Sequence, residues 1–209
     1  MPVIFEQQSP YEFIRVIDDG DLRSLIFDNE GSQSTISKTN PDQIIMEYVE
    51  IMFNSLINKD PNRVLIFGLG GGELVSKLNK KYNKLTIDAV EVDPVVIKVA
   101  HTYFGLSYNE RINIYMADAL KFIQRAENMY DAIFIDAYGK DGMPTHLQFD
   151  GFFQEIKDHL IKGGFAAMNL YKMHLDSFAA NNFKDIFPKN WSEETIFGGN
   201  VVLFGENNG

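Results

Sequence analysis

Apolar positions along the chain fall into short runs whose period switches between strand and helix. Arg63-Val64-Leu65-Ile66-Phe67 is apolar and rich in branched residues, as a buried parallel strand is, and it stops at Gly68-Leu69-Gly70-Gly71-Gly72. After the glycines, Leu74, Val75 and Leu78 recur at helical spacing, and a second apolar run fills positions 85–90. Asp93-Pro94 then opens a helix through Val96, Ile97 and Val99, with proline suited to the first turn. A third strand at 112–116, a helix with Leu120, Phe122 and Ile123, and a fourth strand at 130–136 continue the alternation. A helix at 151–160, the turn Lys162-Gly163-Gly164, a strand at 165–170, a helix at 177–186 and closing strands at 194–196 and 200–204 complete it. Strands alternating with helices predict an α/β fold on a mainly parallel sheet.

The first 38 residues follow another rule. Positions 13–17, 22–27 and 32–36 are β-rich and are separated by Asp18-Asp19-Gly20-Asp21 and Asp28-Asn29-Glu30-Gly31, which predicts a hairpin or three-stranded meander. So small a sheet must pack on the main domain or pair with another copy, so homodimer contacts are expected there. The division expected is a β-rich domain over 1–38 and an α/β domain over 39–209. Residues 39–42 read as a linker with a helix start, and Ile44, Ile45, Tyr48, Val49, Met52 and Leu56 recur at helical spacing.

With 209 residues, 45% hydrophobic and 23% charged, there is enough chain for one sizeable core and an appendage, which excludes two large domains. Without cysteine there are no disulfides or thiolate metal sites, and His101, His146, His159 and His174 are too scattered for metal-ligand spacing. The start lacks a basic region followed by a long apolar segment, and no later run approaches membrane-spanning length. A cytoplasmic protein, neither secreted by that route nor embedded in a membrane, is therefore expected. A formal charge of −10 disfavours nucleic acid and favours small cations.

The glycine turn carries the first chemistry. Its residues can adopt positive φ and let a ligand lie against backbone, while the following helix offers free N–H groups. Four glycines exceed what packing a helix on a strand requires. Glu91, which ends the second strand, can accept both hydroxyl protons of a ribose. The dinucleotide fingerprint asks for glycine where this chain has Glu73, so a pyrophosphate would meet a carboxylate. An adenosyl sulfonium, cationic and without phosphate, tolerates that neighbour, so an S-adenosyl ligand is favoured over a nicotinamide one. Asp136 stands at the carboxyl end of the fourth strand, where open α/β sheets place ligands. The long loop at 137–149 suits a lid or substrate wall. Tyr48 and Tyr138 can line a slot for a cation, with core packing as the rival role for Tyr48. His146, alone in its loop, is more often simply solvated.

Several pieces in order carry a resemblance: Gln8-Ser9-Pro10-Tyr11-Glu12, the region of Asp28 and Gln33, Tyr48-x-Glu50, the glycine turn, Val90-Glu91-Val92-Asp93, Asp118-Ala119, Tyr130-Asp131 with Asp136, and Gly199-Asn200-Val201-Val202. Together they resemble the spermidine synthase family of polyamine aminopropyltransferases, in its divergent spermidine synthase-like branch. That resemblance implies a Rossmann-like class I S-adenosylmethionine-dependent methyltransferase fold with a small β-rich N-terminal domain. It implies that Gly68, Gly70 and Gly72 approach the nucleoside, that Glu91 holds the ribose and Asp118 with Ala119 the adenine, and that Asp136 takes a proton from an attacking amine. The expected co-substrate is decarboxylated S-adenosylmethionine or S-adenosylmethionine itself, with no metal. The partner would be a small cationic amine met by Glu12, Gln33, Tyr48, Glu73, Tyr138 and Asp141. The chain departs from the pattern at four places, one of them the tyrosine that precedes the family's Leu-rich strand, which has no counterpart near Asp21. Gly71 stands where the family has an amine-binding aspartate, Gly139 where it has a second loop carboxylate, and Glu12 where it has glutamine. Glu73 and Asp141 are expected to restore the missing charge. Aminopropyl transfer is the leading expectation. Methyl transfer to a small acceptor and nucleoside binding without catalysis are the alternatives.

Overall fold

The computed structural model describes residues 1–28, 31–139, 142–197 and 199–209. Its first part is an antiparallel sheet in the order β1 (Val3–Gln8), β2 (Phe13–Asp19), β3 (Leu22–Phe27), β4 (Ser32–Ser37). The helix α1 (Glu47–Asn54) leads into a seven-stranded sheet. Its strands are β5 (Arg63–Phe67), β6 (Thr86–Glu91), β7 (Ile112–Met116), β8 (Tyr130–Ile135), β9 (Leu160–Tyr171), β10 (Asn190–Glu194) and β11 (Asn200–Glu206). The spatial order is β10-β11-β9-β8-β5-β6-β7, parallel from β9 to β7 and antiparallel at β10 and β11. The helices α2 (Glu73–Lys81), α3 (Pro94–Tyr103), α4 (Ala119–Ile123), α5 (Asp150–Asp158) and α6 (Phe178–Ile186) cover its faces.

Strand β5 explains the layering. Its side chains alternate, Leu65 and Phe67 packing with Phe152 and Phe183, Val64 and Ile66 with Met52 and Leu78, so both faces of the sheet are dry. Because β5 is followed on one side by β6 and on the other by β8, strand order reverses there and leaves a crevice at the carboxyl ends. A third cluster joins Ile14, Val16 and Leu25 of the small sheet to Val95, Val99 and Phe104 around α3. The appendage is thus held to the α/β layer by a shared core.

Four expectations are corrected. The small sheet has four strands: β1, largely exposed and without polar alternation, gave no strand signal. The helix α1 begins at Glu47 rather than before Ile44. Strand β9 continues back through Lys162-Gly163-Gly164, where a turn was expected, with a register shift opposite Tyr130 and Ala132. The penultimate strand lies at Asn190–Glu194 rather than 194–196, because Trp191 pairs with Phe204 and stacks on it at 5.0 Å.

Candidate functional site

A cavity of about 770 Å³ opens at the carboxyl ends of β5, β6 and β8, and the small sheet supplies part of its wall. Gly68 and Gly70 line it. Gly68 sits at φ +90°, and a Cβ there would fall 2.1 Å from the Asp136 carbonyl oxygen, so only glycine allows β5 and β8 to end this close together.

Glu91, Asp118 and Ala119, the residues expected to meet a nucleoside, stand together on the cavity wall. The Glu91 carboxylate accepts from the Leu69 and Asp93 N–H groups, each at 3.0 Å. A carboxylate offers about four acceptor positions, so these backbone bonds do not saturate it. Burial pushes the Glu91 acid up, and those backbone N–H groups pull it back. Asp118 caps α4 through Lys121 N–H at 3.0 Å and meets His146 Nε2 at 2.7 Å. His146 is therefore held at the wall rather than merely solvated.

In the other half Asp136 has one well-defined partner: Asn169 Nδ2 donates to its carboxylate at 2.8 Å. Asn200 donates to Asn169 Oδ1 at 2.9 Å, which fixes the orientation of the Asn169 amide and leaves its NH₂ for Asp136. Burial pushes Asp136 up to about 6, against the Asn169 bond and the neighbouring Tyr48 hydroxyl, while the Glu91 charge adds to the rise. At neutral pH it is an ionised carboxylate with more than ordinary basicity. Tyr48 and Gln33 line the same region, the Tyr48 hydroxyl making a long 3.4 Å contact to the Gln33 carbonyl. Tyr138 donates to the Asn169 carbonyl and packs edge-on against Tyr171 at 6.2 Å.

Glu12 arrives on a turn fixed from below. Ser9 Oγ donates to Asp93 and accepts from the Tyr11 and Glu12 N–H groups at 3.0 and 2.9 Å, while Asp93 also caps α3 through Val95 N–H at 2.8 Å. Glu12 Oε1 then lies 2.8 Å from where a Cβ on Gly139 would stand. Its carboxylate fills the space that a side chain at 139 would take.

Two expected site residues lie elsewhere. Gly72 does not border the cavity; a Cβ there would meet Leu106 at 3.0 Å. Glu73 is buried and faces a separate small cavity. The notion that four glycines exceed packing needs is corrected too, because a Cβ on Gly71 would meet Phe104 at 2.7 Å and Ser34 Cβ at 3.1 Å. Asp141 lies outside the described residues. Ser9, Asp93, Asn169 and Asn200 were not anticipated as site residues. The signal for Asn169 was available: a lone amide inside the apolar run Phe165-Ala166-Ala167-Met168-Asn169-Leu170.

This sheet order, glycine turn and acidic strand end define a Rossmann-like fold of the class I methyltransferase type with a crevice at the carboxyl ends of its strands. The family model described as the spermine/spermidine synthase domain matches residues 43–196, and the chain belongs to that family. It is 33% identical over 177 residues to the polyamine aminopropyltransferase of Vibrio vulnificus, covering 81% of this chain but only 59% of that protein. A spermidine synthase solved in complex with the transition state analogue AdoDATO superposes with a TM-score of 0.80 at 22% identity, over 98% of this chain and 73% of that one. Human methyltransferase-like protein 13, solved with SAH, superposes with a TM-score of 0.69 at 26% identity, over 77% of this chain and 82% of that one.

Proposed function

We propose that this chain transfers an aminopropyl group from decarboxylated S-adenosylmethionine to a small di- or polyamine, releasing methylthioadenosine. The observation that carries the reading is the partly buried Asp136, held by Asn169 on the wall of the same cavity as Glu91 and Asp118. Glu91 would hold the ribose, Asp118 and Ala119 the adenine edge, and Glu12, Gln33, Tyr48 and Tyr138 the amine. An ammonium has no lone pair, so Asp136 must take a proton before nitrogen attacks the carbon bound to sulfur. Most of the remaining rate gain is positioning. The V. vulnificus relative supports the reading. We assign the amine as the partner, the division at residues 38 and 39 as the domain boundary, the cytoplasm as the compartment, and a homodimer with contacts on the small sheet. Among the described residues no helix is long and apolar enough to cross a membrane.

Methyl transfer from intact S-adenosylmethionine is the second reading, favoured by the likeness to a methyltransferase that binds SAH. The donors differ by one carboxylate. Calorimetry with both separates the readings: repulsion by Glu12 and Asp136 should favour the decarboxylated donor by roughly tenfold, about 1.4 kcal/mol. Incubation with amines and mass spectrometric detection of methylthioadenosine then tests turnover. Tighter binding of the intact donor, or no methylthioadenosine with any amine, would reject aminopropyl transfer.

A further inference from the structure

A second cavity, of about 20 Å³, shares Tyr48, Gly68 and Asp136 with the wall of the first and adds Glu73. That volume suits one water molecule, which needs roughly 10–15 Å³ on this measure and two to four polar partners. Glu73 is 7% exposed, and its carboxylate oxygens have no side-chain partner within hydrogen-bond distance among the described residues, the Ile45 backbone N–H being the donor that stabilises their charge. A buried carboxylate in that condition is costly, and glutamine or leucine would serve packing better. The charged and titratable groups around it come from each neighbouring element: Tyr48 from α1, Asp136 from the end of β8, and Lys77 one turn further along α2. Lys77 Nζ in turn rests on the carbonyls of Pro41 and Gln43, at 2.5 and 3.4 Å, which connects this corner with the surface.

We propose that Glu73 is a positioning residue that receives the proton Asp136 removes from the amine, by way of the Tyr48 hydroxyl and one water in the small cavity. The inference rests on the amine-alkylation reading above. In the step, an N–H bond of the ammonium breaks and its electron pair stays on nitrogen, which forms the new N–C bond. The C–S bond breaks with its pair moving to sulfur, turning the sulfonium into a neutral thioether. The proton on Asp136 passes to the Tyr48 oxygen as the Tyr48 proton passes to water and a water proton to Glu73. Asp136 is restored as carboxylate, and the product leaves as a secondary ammonium. Glu73 later loses its proton to solvent. Burial pushes Glu73 up to about 7, with Lys77 pulling the other way, so near neutrality it can both take a proton and release it.

The pH dependence of kcat for Glu73→Gln and Glu73→Asp, measured in H₂O and D₂O, tests this. The wild type should lose kcat below neutrality through two ionisations, near 7 and near 6. Glu73→Gln should keep only the lower one, lose about tenfold in kcat at pH 8, show a smaller solvent isotope effect and bind nucleoside within twofold of wild type. Glu73→Asp should recover part of the loss. An unchanged acid limb and isotope effect in Glu73→Gln would overturn the proposal. Infrared titration gives a readout apart from turnover: a carboxyl band titrating near 7 should vanish in Glu73→Gln and shift in Tyr48→Phe. A wild type without transfer would reject the functional reading instead. The infrared series then decides the linkage, and an unmoved band in Tyr48→Phe overturns it.

Discussion

Desolvation raises both Asp136, partly buried, and Glu73, buried, but only Asp136 is served by a side-chain amide donor. The Asn169 bond stabilises its charged form, so removing that bond must raise Asp136 further. Asn169→Leu should therefore move the Asp136 limb of the kcat profile from about 6 towards neutrality, by roughly one pH unit. A limb that stays in place would show that Asn169 does not hold the base. Glu73 gives a stability prediction with a definite sign. Its acid rises from 4.5 to about 7 on folding, so its contribution is complete below 4.5 and is lost as pH rises through 7. Relative to Glu73→Gln, the wild type should lose on the order of 2–3 kcal/mol between pH 4.5 and 8 in urea unfolding. A constant difference across that range would refute it. The place of Asp136 on the cavity wall was legible in the sequence, because strand ends of an open parallel sheet border its crevice. The turning of Glu73 into a separate small cavity was not, since its direction depends on packing at the first residue of α2.

The glycine turn shows how an element can be read correctly for partly the wrong reason. The strand, turn and helix were legible from apolar period and glycine spacing, and Gly68 and Gly70 do border the cavity. Gly71, however, is glycine because Phe104 and Ser34 lie against it, and its N–H donates to Ser34 Oγ at 2.8 Å. Those contacts come from positions 33 and 37 residues away, beyond the reach of any local pattern. Gly71→Ala should cost about 1–3 kcal/mol by overpacking, and Phe104→Leu in the same chain should return part of it. Additive losses in the double variant would mean that the two do not touch in solution. The same limit explains the misplaced penultimate strand. The run at 194–196 is apolar only at Ile196, whereas the real strand is chosen by the cross-strand Trp191–Phe204 stack.

At the scale of the whole molecule the cavity belongs to both sheets. Ser9 reaches Asp93, Gly71 reaches Ser34, Arg23 donates to the Tyr103 carbonyl at 2.9 Å, and Ile14, Val16 and Leu25 share a core with Val95, Val99 and Phe104. The sequence showed that so small a sheet must pack on the main domain or on another copy but not which of the two or through which residues, because strand patterning reports which face is apolar and not what covers it. Gly68, Glu91 and Asp118 line the same cavity as Glu12 and Gln33, so a nucleoside bound as proposed should stabilise the small sheet together with the large one. At a ligand concentration of about 100 Kd the gain is ~2.7 kcal/mol, or roughly 5–10 °C in Tm for a chain of this size. Calorimetry should show one transition that moves as a whole, and hydrogen exchange should slow at 9–12 and 31–34 as well as at 68–72. Ser9→Ala cuts the link through Asp93, so it should weaken protection at 9–12 while leaving that at 68–72. Two transitions, only the upper one responding to ligand, would mean that the small sheet folds independently and that Glu12 is brought to the site only after the nucleoside has bound.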